Sequence, residues 1–222
     1  MKSNIKYQGQ VFQDKFVCNV LKHKNKGTFI EIGSHEPKYI NNTYVLEKDL
    51  NWTGLMFEIQ QDRFEQIYKN QRPGSKHIFG DATTHDYDQL FKKFDIPYDI
   101  DYLQLDIEPP EQSWEALNAL NKQVMSSYRF ATITFEHDYL GREQYNWVRL
   151  GSREIFKSCG YYPVFQDIAN GRPGSVFEDW YVHPELVDMD YVKQLQLNNQ
   201  KKYIPGVGDA DVVLRGRQIE YH

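Results

Sequence analysis

Residues 27–58 read GTFIEIGSHEPKYINNTYVLEKDLNWTGLMFE, and their pattern decides the fold. The apolar run 28–32 carries Glu31 and gives way to Gly33. A polar turn follows, then a helix-like stretch over 42–50, a turn at 51–54, and a second apolar run over 55–59 that contains Glu58. This is a β-turn-α-β unit with an acid near the end of each strand. In parallel α/β folds a ligand sits outside the carboxyl ends of the strands, and the second acid is suited to accept from both hydroxyls of a ribose. The unit therefore predicts a site for an adenosine-type cofactor.

Outward from this unit the alternation continues. Upstream, Phe12, Phe16, Val20 and Leu21 fall at helical spacing and predict an amphipathic helix within 9–22. Downstream, a helix over 61–70 is broken by Arg72-Pro73-Gly74-Ser75. Strands are predicted at 76–79, 102–106 and 130–135, with helices over 87–94, from Pro110 through Val124, and over 147–159. Pro110 suits a helix start, and Gly160 suits the position after a helix end. Two more strands, 161–166 and 176–182, flank the turn-rich 170–174 and resemble a hairpin added at one edge. Strand-helix alternation of this kind predicts an α/β, Rossmann-like, mostly parallel sheet with helices on both faces.

At 222 residues the chain suits one domain, expected over 1–185 with the N-terminal helix included. A helix over 189–197 and a Gly/Asp-rich tail, within 186–222, are expected to pack on it or to be partly disordered. The 26 basic and 31 acidic residues give a net charge of −5 without blocks of one sign, so nucleic acid is not the expected partner. Cys18 and Cys159 follow no metal or redox spacing and are read as packed thiols of a reducing compartment. No apolar run approaches a membrane span, and the first ten residues lack a signal-peptide core. A soluble, cytoplasmic protein without membrane contact is expected; its oligomeric state is not legible.

Acids end four successive predicted strands: Glu31, Glu58, Asp81 and Asp106. Singly, each is readily a helix cap or a solvated side chain. In order along one rim of a parallel sheet they line a crevice.

Residues FIEIGSHEP followed by NNTYVLEKDLNWTGLMFE resemble the opening of FkbM-type methyltransferases, S-adenosylmethionine-dependent enzymes of class I. The resemblance extends through GQVFQDKFV upstream, GDA at 80–82, DYLQLDIE at 101–108 and ITFEHDY at 133–139, so it covers about residues 7–165. It implies a seven-stranded sheet of order 3-2-1-4-5-7-6 and O-methylation of a hydroxyl on a glycan or small metabolite. Glu31, Gly33 and Ser34 would shape the loop around the methionine portion of the cofactor, with Asn42 beside them. Glu58 would hold the ribose, Asp81 and Ala82 the adenine edge, and Asp106 the methionine or the reacting centre. One departure stands out: the family's motif usually ends in glycine where this chain has Pro37, preceded by His35 and Glu36. Proline fixes φ near −65° and lacks an amide donor, so the loop keeps its path only if position 37 needs no positive φ. A silent binding module that has lost turnover is the alternative this departure motivates. A nicotinamide-dependent oxidoreductase is disfavoured, because residues 33–37 lack the glycines that let a pyrophosphate approach.

An alcohol acceptor needs help losing its proton. His137, between Glu136 and Asp138, and the pair Asp106 and Glu108 are the catalytic candidates. Two readings stand. Asp106, Glu136, His137 and Asp138 form an oxygen-rich site for a divalent cation such as Mg²⁺, or His137 is a general base oriented by a carboxylate. Residues 177–184 are rich in groups that stack on a sugar, and equally suit an aromatic edge strand; 139–146 are a candidate lid or acceptor wall.

Overall fold

The computed structural model describes residues 5–60, 65, 68–140, 142–169 and 176–200. In chain order the elements are α1 (Gln13–Val20), β1 (Thr28–Ile32), α2 (Tyr44–Leu50), β2 (Thr53–Glu58), β3 (Lys76–Phe79), α3 (Tyr87–Lys93) and β4 (Asp99–Leu105). There follow α4 (Pro110–Gln123), β5 (Arg129–Glu136), α5 (Asn146–Ser158), β6 (Tyr162–Ala169), β7 (Val176–Val182) and α6 (Met189–Gln200). The expected helix over 61–70 and turn over 170–174 lie largely outside the described residues; residues 68–71 are helical.

The seven strands form one sheet of order β3-β2-β1-β4-β5-β7-β6. Strands β1 to β5 pair in parallel, whereas β7 runs antiparallel to β5 and β6 antiparallel to β7. The hairpin is therefore at one edge, but β6 alone is the edge strand. The aromatic stretch 177–182 is interior, with Phe177, Trp180 and Tyr181 buried and Trp180 packed on Phe16. Trp180 and Tyr181 are core rather than a surface for stacking on a sugar, while Phe177 also borders the cavity beyond the strand ends.

Side-chain alternation divides the core in two. On one face Ile30, Ile32, Leu55, Phe57, Leu103 and Ile133 pack with the buried stripes of α3, α4 and α5. On the other, Phe29, Met56, Tyr102 and Trp180 pack with α1, α2 and Val192 of α6. Helix α2, which follows β1, and helix α4, which follows β4, thus lie on opposite faces. Since β1 and β4 are neighbours, their connections part at this point and leave a crevice beyond the strand ends.

Local chemistry fixes the opening unit. Helix α2 ends at Asn51 with φ 56°, a left-handed cap that asparagine tolerates. Trp52 is then buried and its indole donates to the Lys24 carbonyl at 2.7 Å. A Cβ at Gly27 would lie 2.4 Å from the Trp52 ring, so the turn before β1 requires glycine there. Among the described residues, no helix is long and apolar enough to cross a membrane.

Candidate active site

Beyond the carboxyl ends of β1, β2 and β4 lies a cavity of about 690 Å³. Its wall begins at Gly33, whose φ of 83° favours glycine and whose added Cβ would fall 1.6 Å from the Asp106 carbonyl oxygen. The close approach seals β1 against β4, where the Asp106 amide donates to Ile32 O at 3.0 Å. The Gly33 and Ser34 amides both donate to Phe57 O at 3.1 Å, turning the chain over the end of β2.

Glu58 ties two loops together. One carboxylate oxygen accepts from the His35 amide at 2.7 Å, and the other from the Ile59 and Gln60 amides at 2.9 and 3.0 Å. Its side chain, 8% exposed, faces the cavity. Beyond it Gly80 N donates to Glu58 O, and Asp81 and Ala82 continue the wall. Asp81 accepts from the Thr83 hydroxyl and amide, which hold its carboxyl below the usual range.

Glu31 is buried beneath the loop and accepts from Thr43 Oγ1 at 2.8 Å and Asn41 Nδ2 at 3.2 Å. Burial pushes it up to about 7, against the pull of the Arg72 guanidinium 3.9 Å away. Arg72, fully buried, donates to Glu47, Asn41, Thr43 and the Pro37 carbonyl. This clamp is not visible in the sequence: its partners lie 25 to 35 residues upstream, and Arg72 reads there as part of a turn. In the loop, positive φ falls on Gly33, His35 and Ile40, not on position 37. Asn42 lines the cavity, and its buried Oδ1 has no hydrogen-bond partner among the described residues.

The ends of β4 and β5 supply a second group of acids: Asp106, Glu108, Glu136 and Asp138 all face the cavity. Asp106 and Glu136 share a hydrogen bond, as do Glu108 and Asp138, and each such bond needs a proton between two carboxyl groups. Burial raises Asp106 to about 6, with Glu108 adding to the rise. Glu108 reaches about 7, chiefly through its bond to Asp138 and then through burial. Glu136 lies well above the usual range through burial and the facing Asp106, Asp138 and Glu178. Gln104, two residues before Asp106 on β4, lines the same cavity with a buried, unpartnered Oε1. Its midstrand position gave it no prominence in the sequence.

His137 does not join these acids. Glu136, the last residue of β5, faces the cavity, whereas His137, just beyond the strand, is fully buried in the core with Nε2 3.6 Å from Asp179. Asp179 also accepts from Arg153 at 2.7 and 2.9 Å and from the Asp167 amide at 2.7 Å. The expected metal set Asp106, Glu136, His137 and Asp138 is therefore not assembled. Among the described residues the acids and histidines close enough to share an ion are His137, Asp167 and Asp179, whose carboxylates are engaged by Arg149 and Arg153.

The sheet order, the crevice at the β1–β4 divergence and the acids along its rim define the Rossmann-like fold of class I methyltransferases. Among solved structures, the chain is similar to an inferred rRNA methylase from Clostridium thermocellum, 17% identical with a TM-score of 0.51 over 81% of this chain and 98% of that one. An rRNA methylase from Streptococcus thermophilus is 11% identical, with a TM-score of 0.47, covering 77% of this chain and 93% of that one. An inferred methyltransferase from Streptococcus mutans in complex with SAH is 15% identical, with a TM-score of 0.44, covering 76% and 94%. No family model matches the chain, and no curated protein matches it.

Proposed function

We propose that the protein is an S-adenosylmethionine-dependent methyltransferase of the FkbM type that methylates a hydroxyl of a small molecule or glycan. The observation that carries this reading is Glu58: three backbone amides fix both its oxygens at the rim of the cavity, between the Gly33 loop and Asp81-Ala82. A carboxylate so placed is suited to accept from a pair of ribose hydroxyls. The unpartnered Asn42 Oδ1 adds an acceptor for a ligand's N–H or O–H group.

When bound, S-adenosylmethionine supplies an electrophilic methyl group whose transfer to oxygen leaves a neutral thioether. The chain's residues have two tasks: hold the acceptor, and receive the proton its hydroxyl loses. Asp106 and Glu108 face the cavity and titrate near neutrality, at about 6 and about 7, which suits a general base. In this reading Asp106, at the junction of β1 and β4, lies nearer the cofactor, and Glu108 nearer the acceptor. His137 has no part in this chemistry. A dinucleotide is disfavoured further, since no lysine or arginine is found among the described residues lining the cavity to meet a pyrophosphate.

Isothermal titration with S-adenosylmethionine and S-adenosylhomocysteine tests the reading, followed by methyl turnover with hydroxylated acceptors. Binding of either ligand in the micromolar range is expected. Absence of binding at millimolar concentration would sink the proposal, and binding without turnover on any acceptor would favour the silent module.

A further inference from the structure

The cavity is strongly one-signed. Among the described residues it is lined by eight carboxylic acids and no lysine or arginine, and four of those acids crowd the end formed by β4 and β5. An elongated cofactor reaching from the Gly33 loop to Asp81 spans the ends of β1, β2 and β3, which leaves the β4–β5 end for the second substrate. There Asp106 is bonded to Glu136 and Glu108 to Asp138, and Gln104, 2% exposed, presents an acceptor without a donor. Crowding carboxyl groups at one end of a cavity is costly unless a cation or shared protons neutralise them. A buried acceptor oxygen without a partner calls for a donor as well.

From this we infer that the acceptor is an amino alcohol: a protonated amine seated among Asp106, Glu108, Glu136, Asp138 and Gln104 positions a neighbouring hydroxyl for methylation. The inference rests on the methyltransferase reading and names its substrate class. An ammonium group offers three N–H donors and no acceptor, which matches a wall of acceptors. A metal ion fits less well, because hard cations draw several oxygens to one point. No three of Asp106, Glu108, Glu136 and Asp138 bring a ligand atom each within 4.8 Å of one another. Acidic acceptors, such as phosphorylated or uronic sugars, meet like charge throughout.

The test is titration of the full chain, saturated with S-adenosylhomocysteine, with three matched sugars: glucosamine, N-acetylglucosamine and glucuronate, at a pH below the amine's own pKa. Glucosamine is expected to bind at least about tenfold more tightly than its N-acetyl analogue, the factor equivalent to one modest charge pairing, and glucuronate not at all. Glu108→Gln and Asp138→Asn should each erase that preference while leaving S-adenosylhomocysteine affinity within about twofold. Equal binding of glucosamine and N-acetylglucosamine, or no binding of either, overturns the inference. So does Mg²⁺ alone binding in a Glu108-dependent way and displacing glucosamine, which would make the acids a metal site. Failure of S-adenosylhomocysteine to bind, with the amine preference intact, would instead remove the methyltransferase reading and leave the cation site standing.

Discussion

The Arg72 guanidinium donates to the Pro37 carbonyl at 3.2 Å, and through that bond the core holds the loop after β1 from beneath. The same guanidinium reaches Glu47 at 2.9 Å, Asn41 at 2.9 Å and Thr43 at 2.7 Å, and it faces Glu31. Replacing Arg72 by methionine leaves Glu31 and Glu47 facing the vacated site without their cation. Breaking a buried pair from one side costs about 3–5 kcal/mol. Urea denaturation should show a loss of that order; a loss below about 1 kcal/mol would mean that the site adapts by protonation alone.

Pro37 itself is expected to be neutral for the cofactor. The fold uses its carbonyl, and the left-handed positions of the loop are Gly33, His35 and Ile40. Pro37→Gly should therefore leave S-adenosylhomocysteine affinity unchanged within about twofold. It should lower stability by about 1 kcal/mol or less, because glycine gives the unfolded chain more freedom to lose. Tighter binding of the glycine variant would show that proline distorts the loop after all.

Glu58→Ala removes the proposed ribose acceptor and also three amide contacts, from His35, Ile59 and Gln60. A hydrogen bond to a charged group is worth about 1.5–3 kcal/mol, so cofactor affinity should fall roughly tenfold to a hundredfold. Titration calorimetry reads this directly. Affinity equal to that of the parent protein would take Glu58 out of the site.

The sheet was legible because its cues are local. Residues 28–32 and 55–58 are apolar runs ended by polar turns, and the strand order came from resemblance carried by the NNTYVLEKDLNWTG run. Edge geometry was less legible: the aromatic 177–182 stretch suits an edge or an interior strand equally, and only its pairing with both β5 and β6 decides. For the site, acids at strand ends were visible one by one, and Asp106, Glu108, Glu136 and Asp138 do face one cavity. His137 was misplaced because neighbouring residues at a strand end point to opposite sides, and the sequence does not say which side meets the crevice. Arg72 and Gln104 escaped notice since their partners, or the absence of them, are properties of tertiary packing.

Stability should fall as pH rises through the weakly acidic range. Asp14 and Asp106 titrate at about 6, and Glu31 and Glu108 at about 7, each raised mainly by burial except Glu108, where the bond to Asp138 comes first. A carboxyl whose pKa is raised in the folded state binds its proton there more tightly than when unfolded. Its stabilising contribution is complete below the unfolded value, near 4, and is lost as pH climbs through the folded one. The melting temperature of the ligand-free protein should accordingly decline between about pH 4 and pH 7, and Glu108→Gln should flatten part of that slope. A melting temperature that climbs over this window would contradict the proton-sharing carboxyl pairs.

Asp179 behaves in the opposite sense. Burial would raise its carboxyl, but His137 and Arg153 outweigh burial and hold it well below the usual range. Its contribution is present above the unfolded pKa and lost as pH falls through the folded one, so acid unfolding should begin here while the cavity acids are still protonated. Arg153 is the partner to remove, since it donates to Asp179 at 2.7 and 2.9 Å and to Asp167 at 2.7 Å. Arg153→Met leaves the Asp179 charge buried beside His137, and a loss of about 3–5 kcal/mol is expected. Because this network joins α5, β6 and β7 and lies outside the cavity lining, S-adenosylhomocysteine affinity of the folded variant should stay within about twofold of the parent, as should that of His137→Asn. A tenfold loss of affinity in His137→Asn, with its fold intact by circular dichroism, would return His137 to the site from which the geometry of β5 removes it.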